Sequence, residues 1–424
     1  MHLPCTFSAS IDQTQFDRFA GLLARDLDAD MILSADGYPA QTRSIIGVNP
    51  IAELVVRETT TPEQLKEFCF GSSGPALGFL SYTYGMKLRG IASSKPYDFP
   101  LGHLKKYEAI VSFEDGKMNA AARNQSLIDT LSEKLKNMPE EHDERLIHGQ
   151  TLSEMKASLD KAGYEDGVRR TLEYIRSGHT YQLNLSTRLS WNCPNLDPLA
   201  LFMSLRREHP APFYAWLVSG QKRILSTSPE RFLAVRDGHV LSQPIKGTLR
   251  FDVLTPDTYK QLTDSPKESA ELSMIVDLVR NDISANCEYS SVRVKNHKSV
   301  FAVDNLLQMY ADVHGTLRND RNCLDLFLDA FPGGSITGCP KKSSMEIIEQ
   351  LEPHSRGVYC GSVVIIEDER NMDSSIAIRT ATFDMETKRL DSYAGSGIVV
   401  DSDPVREYQE TMAKAEKFLA LGES

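Results

Sequence analysis

The stretch Glu230-Arg231-Phe232-Leu233-Ala234-Val235-Arg236-Asp237-Gly238-His239-Val240-Leu241-Ser242-Gln243-Pro244-Ile245-Lys246-Gly247-Thr248 decides the fold class of this 424-residue chain. Asp237-Gly238 stands between two strand-like runs. A two-residue hairpin loop needs positive φ at both positions, which Asp-Gly accepts. The stretch therefore reads as a tight antiparallel hairpin. Counting outward from the turn sets Val235 opposite Val240, Leu233 opposite Ser242 and Glu230 opposite Ile245, with Lys246 next along. A carboxylate and an amine distant in the chain become neighbours in space. Strict alternation would send their side chains to opposite faces. One bulge corrects this, and Pro244, which cannot donate to a ladder, marks the expected place for it. A salt bridge at the end of a hairpin accounts for the same pair without any chemistry.

Outward from the hairpin, helices and strands alternate. Tyr164 to Ser177 reads as a helix with Gly178 placed to end it, and Tyr181 to Trp191 as a strand. Earlier, Ala76-Leu77-Gly78-Phe79-Leu80 reads as a strand, and the polar stretch Glu140 to Gln150 as a loop between an N-terminal and a C-terminal half. A hairpin among alternating elements argues for an α+β fold rather than a purely parallel sheet.

Two further segments place glutamates in pairs. Ser265 caps a helix that begins at Pro266, and Leu272, Ile275, Val276 and Val279 form its apolar stripe. Glu268 falls inside that stripe and Glu271 on its edge, where a carboxylate is costly unless paired or bound to a metal. A capping box, Ser265 with Glu268, explains Glu268 alone. Asp403 caps a second helix on which Glu407, Glu410 and Lys414 share one face. An exposed Glu410–Lys414 pair is the ordinary explanation there. Two Glu-x-x-Glu helices that met would form an oxygen-rich site of the kind hard cations prefer.

Pro332-Gly333-Gly334-Ser335-Ile336-Thr337-Gly338 leads into a helix from Lys341 to Leu351, and Ala394-Gly395-Ser396-Gly397 reads as a second glycine turn. Either could cradle an anion, though tight turns without a ligand are the default. Arg379, in Ile376-Ala377-Ile378-Arg379-Thr380, reads as a cation in the middle of an apolar strand, which calls for an anionic partner.

Composition sets outer bounds. A formal net charge of -11 disfavours nucleic acid and anionic membrane surfaces as partners. Seven cysteines, none in a Cys-x-x-Cys pair, argue against a zinc site or disulfide framework and for a reducing compartment. No apolar run approaches the roughly 20 residues that span a bilayer, and the N-terminus lacks a signal pattern. The expectation is a cytoplasmic protein.

Taken together, Ser228-Pro229-Glu230-Arg231-Phe232, Pro244-Ile245-Lys246-Gly247-Thr248, Lys267-Glu268-x-Ala270-Glu271, Asp277-Leu278-Val279-Arg280-Asn281-Asp282, the Pro332–Gly338 turn, Ile378-Arg379-Thr380 and Glu407-x-x-Glu410-x-x-x-Lys414 resemble the chorismate-utilising enzymes. The resemblance is dense from Gly178 to Ala415 and fainter before it. It implies one large α+β domain of two stacked, mostly antiparallel sheets flanked by helices. Residues 1–150 would form the N-terminal portion of that fold and 151–424 the chorismate-binding catalytic portion. It implies Mg²⁺ held by Glu271 and Glu410, with Glu268 and Glu407 acting through waters. Tyr359, Arg379, Gly395, Gly397 and Lys414 would bind substrate, and Lys246, Glu230 and Thr248 would carry the chemistry.

Branches of the family separate at a few positions. Isochorismate and salicylate synthases use a lysine base in the strand after Gly178, a place that Leu183 fills here. Anthranilate synthases carry Ala where Lys246 stands. The Pro-Ile-Lys-Gly-Thr form resembles the aminodeoxychorismate synthase component I branch, which supplies para-aminobenzoate for folate. In that branch the lysine attacks ring C2 while the glutamate protonates the departing C4 hydroxyl. Ammonia would come from a separate glutamine amidotransferase, because no cysteine here sits in a Gly-x-Cys-x-Gly motif. One departure is Asp304-Asn305, where the family usually has histidine. An anthranilate synthase component I and, on Asn305, a non-catalytic chorismate-binding protein are the other readings.

Overall fold

The strand Gly102–Glu114 is where the fold divides. The computed structural model describes residues 3–35, 38–40, 42–72, 74–139, 153–251, 253–303 and 306–420. Within it, Gly102–Glu114 pairs along its length with Ser44–Val56, whose register shifts between Pro50 and Ala52. On its other edge its first residues pair with Ala76–Leu80 and its last with Lys117–Ala122. Burial follows the division. From Gly102 to Tyr107 every residue is buried, and beyond that buried and partly open residues alternate. The first half is thus covered on both faces and the second on one.

Two arms diverge from this strand. One runs through Ala76–Leu80, Ser362–Asp368, Asn371–Ile376, Arg231–Arg236 and His239–Ser242 to Leu306–Thr316, which also pairs with Ile245–Arg250 and Arg293–Val303. The other runs from Ser44–Val56 through Asp30–Leu33, Phe213–Ser219, Lys222–Ser228, Thr380–Asp384 and Arg389–Ile398 to Gln182–Asn192. All these pairings are antiparallel, and hydrogen bonds join the strands of both arms into one continuous network. Each arm has its own core. Leu233, Val235, Leu272, Val276, Met309 and Phe327 belong to the first, and Phe16, Trp191, Phe202, Leu225, Leu390 and Phe418 to the second. The α+β architecture expected from the sequence is present. The polar stretch at 140–150 lies outside the described residues.

The hairpin forms as read. Asp237 and Gly238 have φ of 49° and 79°, and Val235 faces Val240. The bulge, however, is not at Pro244. Ser242 faces Val313 and Ile245 faces Tyr310, so the register passes through Gln243-Pro244 unshifted. The extra residue is Phe232: register against Asn371–Ile376 shifts between Arg231 and Leu233. A second shift falls between Lys246 and Thr248, where Gly247 takes a φ of 73°. A missing donor at Pro244 weakens a ladder without adding a residue to it. The glycine, which tolerates positive φ, is where the strand yields.

Candidate active site

Each helix that carries paired glutamates starts as its sequence dictates. Ser265 caps Pro266–Ser284 by accepting from the Glu268 N–H, and Asp403 caps Pro404–Leu419 by accepting from the Arg406 N–H. The capping box is only half formed, since no return bond from Glu268 to Ser265 is present. The Glu268 carboxylate instead lies against Gly247, with one oxygen 3.1 Å from where a Cβ would stand.

Glu268, Glu271, Glu407 and Glu410 all border one cavity of about 1030 Å³, together with Glu230, Lys246, Tyr359, Arg379, Gly395, Gly397 and Lys414. That volume lies at the upper end of the small-molecule range and leaves room for a ring substrate, a second reactant and an ion. Residues spread over 185 positions of sequence thus converge. Of the expected site residues only Thr248 stands apart, one position beyond the Gly247 bulge, with its side chain outside the described residues. Asp304 and Asn305 also lie outside them.

Glu230 is the most constrained group. It is buried, 6% exposed. Its carboxyl accepts from Ser335 Oγ at 3.0 Å and from the Ile245 N–H. Burial pushes its pKa up to about 7, against the pull of Lys246, Ser335 and Lys414. It is therefore an acid that keeps its proton near neutrality. Lys246 faces Glu230, Glu271, Glu410 and Lys414. A Cβ on Gly397 would come within 3.5 Å of Lys246 Nζ, so glycine there keeps the amine's side of the cavity open.

The cationic wall is built differently from the expectation. Arg379 is not in mid-strand. It occupies a bend between Asn371–Ile376 and Thr380–Asp384 with a φ of 50°. Its carbonyl accepts from the Thr227 N–H and Oγ1 at 3.0 and 2.9 Å, which pins that unusual backbone. Among the described residues its guanidinium makes no ion pair. Burial lowers its pKa, with Tyr359 and Glu410 opposing. Lys414 Nζ pairs with Glu410 at 2.6 Å and reaches the Gly395 carbonyl at 3.3 Å. Gly395 and Gly397 belong to the strand Arg389–Ile398 rather than to a turn. A Cβ on Gly395 would meet the Leu185 carbonyl at 2.5 Å, so backbone packing excludes any larger residue. Tyr359 stacks on Tyr393, centroids 5.2 Å apart.

The first glycine turn also has another role than cradling an anion. Gly334–Ile336 forms one helical turn whose Ser335 holds Glu230. Leu183 is buried in a separate apolar cluster. Asn184 pairs with Gly397 from that strand, and Gln182, two residues before it on the same face, brings Nε2 to 3.1 Å from a Gly397 Cβ. Alternation along the strand, counted from Gly397, is the signal that separates the two.

The glutamates suit a hard cation by chemistry, all four offering carboxylate oxygens. Glu407 accepts from Ser402 Oγ through one oxygen at 2.7 Å, and Ser396 is the second hydroxyl that helps hold its carboxylate. Burial, with Glu268 and Glu410, raises the Glu271 pKa against the pull of Lys246 and Lys267, whereas Lys414, Lys246 and Lys267 hold Glu410 below the usual carboxylate range. Lys267, 3.8 Å from Glu271, is itself drawn up by all four glutamates. Among the described residues no three such side chains already stand at metal-ligand spacing. The donors suit such an ion by their chemistry.

The profile of the chorismate binding enzymes matches residues 23–420. The chain is 41% identical over 275 residues to aminodeoxychorismate synthase component 1 of Klebsiella aerogenes, covering 64% of this chain and 60% of that protein. It is 38% identical over 260 residues to anthranilate synthase component 1 of Saccharolobus solfataricus, covering 61% of each. The matched region thus spans about three fifths of these relatives. The crystal structure of anthranilate synthase component I from Streptococcus pneumoniae TIGR4 superposes with a TM-score of 0.77 at 27% identity, over 91% of this chain and 93% of that one. The menaquinone-specific isochorismate synthase of Escherichia coli, at 16% identity and a TM-score of 0.75 over 99% and 94% of the two chains, shares the fold. On its sequence and its fold, this chain belongs to the chorismate-binding enzyme family.

Proposed function

We propose that the chain converts chorismate and ammonia to 4-amino-4-deoxychorismate. The observation that carries this reading is Lys246 facing a buried, proton-retaining Glu230 across one cavity. Lys246 Nζ attacks ring C2, both ring double bonds shift by one position, and the C4–O bond breaks. The departing hydroxyl takes the Glu230 proton and leaves as water. Ammonia adds at C4, both double bonds shift back, and the C2–N bond to Lys246 breaks. The Glu230 carboxylate then takes a proton from the new ammonium, so both groups return to their starting states. Arg379, Lys414 and Tyr359 receive the substrate's carboxylates. Glu271 and Glu410 would hold Mg²⁺, with Glu268 and Glu407 acting through waters, and the ion would neutralise a substrate carboxylate.

Chorismate, Mg²⁺ and ammonium given to the purified chain should yield a product with the mass of aminodeoxychorismate. Fluorescent anthranilate would instead favour the anthranilate synthase reading, which the 38% identity to such a protein supports and which Lys246 opposes. Glutamine should not replace ammonium, since the nitrogen is to come from a separate glutamine amidotransferase subunit; glutamine hydrolysis by the isolated chain would overturn this. All seven cysteines are free, in keeping with a cytoplasmic enzyme serving para-aminobenzoate and folate supply. No helix among the described residues is long and apolar enough to cross a membrane.

The metal reading has its own test. Calorimetric titration should show Mg²⁺ binding that Glu271→Gln and Glu410→Gln each weaken by about tenfold or more, since losing even a group that supports a metal ligand costs that much. Unchanged affinity in both variants would remove these residues from the metal site.

A further inference from the structure

Beneath the cavity lies a charged cluster that the chemistry above does not use. Glu352, His354 and Arg356 are 2%, 3% and 3% exposed. Arg356 donates to both Glu352 oxygens at 2.9 and 2.7 Å and lies over the Tyr82 ring at 4.8 Å. Two more of its bonds go to backbone carbonyls, Ile336 at 2.8 Å and Asn184 at 2.6 Å. Glu352 also accepts from the Ser186 N–H at 2.7 Å and Ser186 Oγ at 2.8 Å. His354, its pKa lowered to about 4 chiefly by burial, is neutral and bridges Ser158 and Ser186.

A buried ion pair is a poor way to gain stability, because apolar residues of the same volume do as well. What an arginine adds is direction: its planar fork holds several acceptors in one geometry. Both carbonyls it holds belong to residues on the cavity wall. Ile336 closes the Gly334–Ile336 turn, whose Ser335 donates to Glu230. Asn184 belongs to the strand Gln182–Asn192, and its N–H donates to the Thr337 carbonyl at 2.9 Å. Arg356 and this bond together tie turn to strand at two points.

We propose that Glu352 and Arg356 are positioning residues that lock the Gly334–Ile336 turn to the Gln182–Asn192 strand and so keep Ser335 within hydrogen-bond reach of Glu230. The inference rests on the reading of Glu230 as the acid. Other charged or titratable groups that face Glu230 are Lys246, Lys414, Cys360 and Tyr38; of these, Cys360 also lies within electrostatic reach of Arg356 and Glu352.

The test follows the Glu230 carboxyl by infrared titration, its band assigned by loss in Glu230→Gln. Arg356→Lys keeps the charge but cannot reach all three partners, and the isosteric Glu352→Gln serves as second variant. The Ser335 bond favours the ionised carboxyl, so weakening it should move the midpoint alkaline by about one pH unit in either variant and in Ser335→Ala. Arg356→Lys combined with Ser335→Ala should move it no further than Ser335→Ala alone. With chorismate, kcat should fall about tenfold while KM stays within about threefold, as expected when only the transition state loses support. An unmoved midpoint, or two effects that add, overturns the proposal. If the chain does not aminate chorismate, the kinetic arm fails with the proposed function, and the infrared midpoints still decide this inference.

Discussion

Lys246→Ala should abolish the covalent adduct with chorismate and lower turnover by ~10³-fold, the scale for removing a group that acts in the transition state. Chorismate binding should stay within a few fold, because Arg379, Lys414 and Tyr359 stand on other segments of the cavity wall. The substitution opens space beside Gly397, where Lys246 Nζ stands 3.5 Å from the position of a Cβ. The other half of the machinery should survive it. Lys246 is the largest influence holding the Glu230 pKa down, so its loss leaves Glu230 protonated to a higher pH. A dead variant with a competent acid therefore isolates the nucleophile. Intact-protein mass spectrometry after acid quench reads the adduct directly, and an adduct on Lys246→Ala equal to that on wild type would rule the lysine out.

The sequence made the hairpin legible because its turn chemistry is local. Asp237-Gly238 needs nothing distant to declare positive φ, and pairing follows by counting. The two glutamate helices were legible for the same reason, since Ser265, Pro266 and Asp403 act within one turn of the residues they cap. Where the readings failed, a distant contact decided. The shift that accompanies Glu230 and Lys246 on one cavity is set at Phe232 against a strand about 140 residues later, and nothing within the hairpin reports it. Arg379 looked like a strand residue because its neighbours are apolar, yet Thr227 holds it in a bend. Gly395 looked like a turn residue because it alternates with small residues, yet it is glycine because the Leu185 carbonyl occupies the space of a Cβ.

The parts of the site that sequence reasoning missed act through others. Ser335 was visible only as one residue of a glycine-rich turn, and its bond to Glu230 joins segments 105 residues apart. The charge of Lys267 matters only because the fold gathers four glutamates around it, which its own segment does not report. Glu352 and Arg356 did carry a signal, an i,i+4 opposite-charge pair, but on a surface such a pair is worth little. Only burial turns it into a device, and burial is what a single sequence reports least.

Glu230→Gln separates function from stability, because the two should move in opposite directions. The acid is competent only while protonated, so wild-type kcat should fall as pH rises through about 7. Glutamine has no proton to give. Turnover should drop by ~10²–10⁴-fold and the alkaline limb should vanish from what remains. Stability works the other way. The pKa of Glu230 is raised on folding, so the folded state holds its proton more tightly than the unfolded chain does. Its contribution is complete below about 4.5 and is lost as pH rises to about 7. Glutamine, neutral at every pH, carries no such loss. Relative to wild type, the variant should therefore gain up to ~3 kcal/mol between pH 4.5 and pH 8, from the 1.36 kcal/mol carried by each pKa unit. Urea unfolding of both proteins at the two pH values measures this. Equal pH dependence in the two would mean that Glu230 ionises as readily in the folded cavity as in water, and the acid role would then lose its physical basis.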